Sequence, residues 1–148
     1  MTAVKIKFAV VGCGHIGKRH IAMIQENPEA ALLAVCDVLP KEDLGLAKLN
    51  VPFYKDLSEL LQKEEQLEVV CICTPNGYHA RQAEQVLAAH KHVVIEKPMG
   101  LTKASCEAVI FKALNVSRQV FCVMQNRYSP PIEWLKSVLE KGILGNVF

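Results

Sequence analysis

Several short stretches of this chain carry residue types at spacings that could do chemistry. The first is Gly12-Cys13-Gly14-His15-Ile16-Gly17, a G-x-G-x-x-G loop after an apolar run and ahead of a helical pattern. Gly12 suits a tight turn, and Gly14 leaves room for a pyrophosphate that a Cβ would repel. Gly17 lets a helix pack close to the preceding strand. The free N–H groups of that helix's first turn, and its dipole, favour phosphate oxygens. Three glycines alone recur by chance and in kinases. Here a strand precedes them, a helix follows, and Asp37 stands 20 residues beyond Gly17. A carboxylate there can accept hydrogen bonds from adenosine ribose hydroxyls and would repel a 2′-phosphate. The expected cofactor is NAD, with NADP the weaker alternative because Lys41 could tolerate a phosphate. The other role open to Asp37 is to cap the next helix. His15 and Ile16 join the cofactor contacts, although His15, Arg19 and His20 either reach the phosphates or face solvent.

Three more stretches follow apolar strand-like runs, where an open α/β sheet collects its ligand. They are Cys73-Thr74-Pro75-Asn76-Gly77-Tyr78-His79, Glu96-Lys97-Pro98 and Gln125-Asn126-Arg127-Tyr128. Taken alone, Lys97 reads as a surface lysine and His79 as a first-turn helix residue. Arg127, with Tyr128 beside it, either binds a substrate anion or pairs with a structural carboxylate. Trp134 reads as core or interface.

The elements that must position these residues alternate along the chain. Strands are predicted at 5–11, 31–37, 51–54 (a brief edge), 69–73, 92–95 and 119–123. Helices are predicted at 15–27, 41–49 and 56–62, the last capped by Asp56 with Glu59 completing a capping box. One helix after the fourth strand carries Ala80, Ala83, Val86 and Leu87 on one side. Another carries Cys106, Val109, Ile110 and Ala113, and the last, from about Pro130, carries Ile132, Leu135, Val138 and Leu139. Alternation of this kind predicts a doubly wound, Rossmann-type parallel sheet in a three-layer αβα arrangement. The dinucleotide-binding domain is expected over 1–141. Residues 142–148 turn out of a helix as if to begin a further strand, and are expected to start a second domain cut short at Phe148.

Bulk properties narrow the class further. The 148 residues are 51% apolar and 22% charged, a globular composition, and the net charge of +2 is too small to argue for nucleic acid or anionic lipid. No apolar run approaches the roughly 20 residues of a membrane span, and the N-terminus lacks the pattern of a signal peptide. Six cysteines could suggest disulfides, but Cys36, Cys71, Cys73 and Cys122 sit in strand-like runs and Cys106 on an apolar helix face. Such thiols behave as small hydrophobes, and no zinc-ligand spacing is present. Reduced cysteines point to the cytoplasm.

GCGHIG, TPNGYH, the Glu-Lys-Pro of 96–98 and the GILGNV ending together resemble the Gfo/Idh/MocA oxidoreductase family, over essentially the whole chain. The resemblance implies an active-site role for Lys97 beside the nicotinamide and substrate, with a Lys97–Pro98 bond that is commonly cis. It places Glu96 near the nicotinamide ribose and makes Thr74, Pro75, Asn76 and His79 cofactor contacts. It also implies a second domain that supplies the substrate pocket, an aspartate–histidine pair and oligomer contacts, so the full-length protein is expected to be a homo-oligomer. The expected chemistry is hydride transfer between NAD(H) and a secondary hydroxyl or ketone of a sugar, cyclitol or nucleotide sugar, which needs a group to hold or remove the hydroxyl proton. The alternatives are an imine or double-bond reductase, and a non-catalytic dinucleotide sensor that would have no use for Lys97.

Overall fold

Residues 4–147 are described by the computed structural model, and in them strands and helices alternate as the apolar runs require. The elements are β1 (Ile6–Val11), α1 (His15–Glu26), β2 (Ala30–Cys36), β3 (Phe53–Tyr54), α2 (Leu57–Lys63) and β4 (Val69–Ile72). After them come α3 (His79–Ala88), β5 (His92–Ile95), α4 (Lys103–Asn115), β6 (Val120–Cys122) and α5 (Pro130–Glu140). The six strands form one sheet in the order β3-β2-β1-β4-β5-β6, with every neighbouring pair parallel. Parallel neighbours need crossover connections, and helices provide all of them but the one from β2 to β3, which runs through bends and turns.

The winding reverses at β1, which lies between β2 and β4. The helices that follow β1 and β4 therefore go to opposite faces of the sheet, and a crevice opens at the carboxyl ends of the strands. One core lies between the sheet and α2, α3 and α4, where Leu60, Ile72, Leu87 and Ile95 are fully buried. The other lies under α1, where Ile21 and Ile24 cover Val10, Val35 and Cys71. These are the three layers the alternation predicts. Helix α1 packs chiefly over β1, β2 and β4. Phe121 on β6, the register partner of Val94, is consequently 52% exposed.

The structure departs from the sequence reading in four places. Residues 41–49 form turns and no helix. Gly45 there has φ +67, and the Lys41 ammonium bonds the carbonyls of Leu49 and Val51, so the segment folds around the lysine. Asp56 does cap α2, accepting from the Glu59 amide at 3.0 Å, but the Glu59 carboxylate pairs with Lys63 and does not return to the cap. On α5 only Val138 is buried; Ile132, Leu135 and Leu139 stay partly exposed and Trp134 is 68% exposed. Past α5 the chain turns through Gly142 and Gly145, both at positive φ, with no strand through residue 147; Phe148 lies outside the described residues. The six cysteines are free, and Cys13, Cys36 and Cys71 are buried.

Candidate functional site

The glycine loop is held from three sides. Gly12 adopts φ +84, and a Cβ there would lie 2.7 Å from the backbone of Cys73 and Thr74, so the loop after β1 rests directly on the loop after β4. A Cβ on Gly17 would lie 1.9 Å from the Gly12 carbonyl oxygen, which fixes how close α1 starts to the strand. Gly14 differs: a Cβ there meets nothing within 4 Å and would project into open space. Gly14 is also the N-cap of α1 and supplies no side-chain cap, and Lys18 is the first residue whose amide bonds back, to the Gly14 carbonyl at 3.0 Å. The amides of His15, Ile16 and Gly17 have no acceptor among the described residues. Free N–H groups at a helix start, facing space that a side chain would fill, fit a phosphate.

Asp37 follows β2 and closes the third side. Its Oδ2 accepts from the Cys13 amide at 2.6 Å and its Oδ1 from the Leu39 amide at 3.0 Å. A carboxylate has about four acceptor positions, so two remain for ribose hydroxyls while two shape the loop. The sequence reading missed this bracing role. Lys41, the residue that could have tolerated a 2′-phosphate, spends its ammonium on Leu49 and Val51. Cys13, inside the motif, is no nucleophile: burial first, and the Asp37 charge second, push its thiol up to about 12.

A cleft of about 800 Å³ runs from α1 across the ends of β4, β5 and β6, and Ile16, Thr74, Asn76, Glu96 and Lys97 line it. It brings all four sequence stretches together, since Gln125 lines it as well. Lys97 also lines a smaller cavity of about 390 Å³ with Gln125, Asn126 and Arg127. Neither Lys97 nor Arg127 forms an ion pair among the described residues. Tyr128 is 77% exposed and lines neither cavity, and His15 is likewise exposed at the loop's exit.

The Glu96-Lys97-Pro98 turn is anchored on both flanks, and its Lys97–Pro98 peptide is cis. Glu96 Oε1 lies 3.0 Å from Nε2 of His20 on α1, and its Oε2 accepts from the Lys97 amide at 3.3 Å. His20 thus belongs to the site through Glu96. The signal was its spacing: Ile16, His20 and Ile24 recur every four residues, and that stripe lines the cleft. His79 is buried and bonds two backbone carbonyls, those of Thr74 and Pro98, each at 2.7 Å. The Thr74 hydroxyl donates to Gln82 on α3, and Pro75 leads into a short 3-10 turn over Asn76–Tyr78.

Residues 6–124 match the family model of oxidoreductases with an NAD-binding Rossmann fold, the Gfo/Idh/MocA group. Among curated proteins, inositol 2-dehydrogenase of Salmonella typhimurium is 31% identical over 145 residues, which is 95% of this chain and 43% of that protein. Myo-inositol 2-dehydrogenase of Thermotoga maritima is 28% identical over 95% of this chain and 42% of its own length. Among solved structures, the WlbA dehydrogenase of Bordetella pertussis, in complex with NADH and UDP-GlcNAcA, superimposes with a TM-score of 0.90 at 32% identity. That match covers 97% of this chain and 44% of WlbA. The scyllo-inositol dehydrogenase of Lactobacillus casei, with NAD(H) and scyllo-inositol bound, gives 0.83 at 27% identity over 96% and 43% of the two chains. The chain therefore spans less than half the length of each of these proteins.

Proposed function

The chain belongs to the Gfo/Idh/MocA oxidoreductase family, of which it is the NAD-binding Rossmann part, and on that premise we propose that its full-length protein transfers hydride between NAD(H) and a secondary hydroxyl or ketone of a sugar, cyclitol or nucleotide sugar. Residues 1–141 are then the dinucleotide-binding domain, and the segment from 142 leads into a second domain that completes the substrate pocket and carries homo-oligomer contacts. The observation that carries the proposal is Lys97. It stands where the cleft from the glycine loop meets the cavity under Arg127, with an ammonium that no carboxylate among the described residues neutralises. A dinucleotide sensor has no need of such a lysine there.

The chemistry divides as follows. Bound NAD(H) supplies the hydride acceptor or donor. The amides of His15, Ile16 and Gly17 hold the pyrophosphate, and Asp37 takes the adenosine ribose. Thr74, Pro75 and Asn76 border the nicotinamide half, and Glu96, tethered to His20, faces its ribose. Lys97 holds the substrate oxygen and takes or gives its proton as the alcohol and ketone interconvert, acting as the catalytic residue. Arg127 and Tyr128 border the substrate side. NAD is preferred over NADP because the Asp37 carboxylate meets the 2′ position and Lys41 is already bonded elsewhere. No described helix is long and apolar enough to cross a membrane. Six free thiols suit a protein working in the reducing cytoplasm.

The test is NAD+ reduction at 340 nm by the full-length protein with myo-inositol, scyllo-inositol and UDP-GlcNAcA, each alone. We expect at least one to be oxidised, with NADP+ a poorer cofactor. Lys97→Ala should lose about 10²- to 10⁴-fold in turnover with little change in NADH affinity. Unchanged turnover in that variant would remove Lys97 from the chemistry.

A further inference from the structure

Among the described residues His79 is the only polar or charged residue that is fully buried, at 1% exposure. It opens α3, yet it does not cap the helix. Its Nε2 faces the carbonyl of Thr74, which follows β4, and its Nδ1 faces the carbonyl of Pro98, which follows β5. Both partners are acceptors and neither carries a proton. Each carbonyl lies 2.7 Å from a ring nitrogen, so the imidazole bridges the turns after β4 and β5. The ring therefore ties the two turns together from a fully buried position.

Those two turns carry the site's chemistry, and Lys97 sits between two anchors. On its amino side, Glu96 is bonded through its amide to the Ile72 carbonyl at 3.0 Å and through its carboxylate to His20 at 3.0 Å. On its carboxyl side the Pro98 carbonyl is held by His79. No other side chain among the described residues bonds the Lys97–Pro98 segment from that side. We propose that His79 is a positioning residue for Lys97: by bridging the Thr74 and Pro98 carbonyls it pins the turn after β5 to the end of β4 and so aims the lysine into the cofactor cleft. This rests on the assignment of Lys97 as the active-site lysine. It gives His79 a role distinct from the cofactor contact that the family resemblance implies, because its ring nitrogens are both used within the protein.

The test uses the full-length protein and a readout that needs no substrate. Pyridoxal 5′-phosphate followed by borohydride tags accessible lysines, and peptide mass spectrometry locates the tag at Lys97. In the unmodified sequence NADH should slow tagging of Lys97, since the lysine faces the nicotinamide end of the cleft. His79→Gln keeps a donor at one end only. It should bind NADH within about 3-fold of the parent while NADH protection of Lys97 falls by about 10-fold, since a shift near 1 Å suffices to misplace a reacting group. His79→Leu should lose protection further, and if it does not fold His79→Gln carries the test alone. Protection and NADH affinity falling in parallel would overturn the proposal, because His79 would then serve the cofactor site as a whole. Protection unchanged in His79→Gln would overturn it as well. If NADH fails to protect Lys97 in the parent protein, it is the assignment of Lys97 that fails, and the role of His79 falls with it.

Discussion

Two glycines three residues apart should respond to the same methyl group in opposite ways. Alanine at 17 places its Cβ 1.9 Å from the Gly12 carbonyl oxygen and 2.9 Å from the Gly12 carbonyl carbon. Both atoms are backbone, so no side chain can swing aside. The start of α1 must instead retreat by on the order of 1 Å, loosening Ile21 and Ile24 from the sheet; overpacking of this kind costs about 3 kcal/mol. Alanine's better helix propensity returns about 1 kcal/mol. The net loss of about 2 kcal/mol should lower the melting temperature by about 8 °C at this chain length. Alanine at 14 meets nothing within 4 Å, and φ −67 at that position suits it. Its melting temperature should match the parent or rise slightly, since alanine narrows the unfolded ensemble. Its methyl, however, occupies the space a phosphate must enter to reach the α1 amides. Losing one or two hydrogen bonds to a charged group, worth about 3 kcal/mol together, weakens NADH about 100-fold. Scanning calorimetry and NADH titration of the two variants read both quantities. A Gly14→Ala protein that melts as low as Gly17→Ala, or that binds NADH like the parent, would refute this division of labour between the two glycines.

Further outcomes follow from the neighbouring residues. Asp37→Ala strips the acceptor from the Cys13 and Leu39 amides and from the ribose, so NADH affinity should fall at least about 10-fold with NADPH little changed; equal losses for both, by calorimetry, would remove Asp37 from cofactor choice. Lys41→Met should lower the melting temperature while leaving the NADH-to-NADPH ratio of affinities unchanged, because the ammonium serves Leu49 and Val51; a changed ratio would mean it reaches the cofactor. Burial pushes the thiols of Cys13, Cys36 and Cys71 from 9.0 up to about 12. In the unfolded chain they ionise from about pH 9, in the folded chain only near 12. Their contribution to stability is therefore intact below pH 9 and is lost as pH rises towards 12. The urea midpoint should drop between pH 8 and pH 10, and Ellman's reagent at pH 8 should reach these three only on unfolding; rapid labelling of the folded protein would contradict their burial.

Strands and the glycine loop were legible because each is a local signal. β5 spans His92–Ile95 as the apolar run predicts, and Gly12, Gly14 and Gly17 have geometries that follow from their order in the motif. What could not be read was the partner of a polar side chain, since that depends on which turns the topology brings together. Asp37 reads as a ribose ligand, with helix capping the alternative, and nothing local shows that it also braces the Cys13 amide 2.6 Å away. Lys41 reads as part of a helix because its neighbours have helical spacing, whereas its bonds to two carbonyls hold the segment in turns. On α5 the apolar stripe is present, but most of it remains uncovered in the described residues. Periodicity identifies the face that should be buried without naming what buries it.

The contact between Gly12 and the backbone of Cys73 and Thr74 also bears on the order of assembly. The motif is contiguous, yet the surface that seats it arrives some 60 residues later in synthesis. Closing a loop of that length costs about 4 kcal/mol of chain entropy, which the β1–β4 pairing must repay before the turn is held. A nascent chain that has left the ribosome only as far as α2 thus displays every glycine of the fingerprint and still has no seat for it. Recognition of the dinucleotide begins with the arrival of β4, so the earliest step at which the cofactor can favour folding is the joining of the two halves of the sheet.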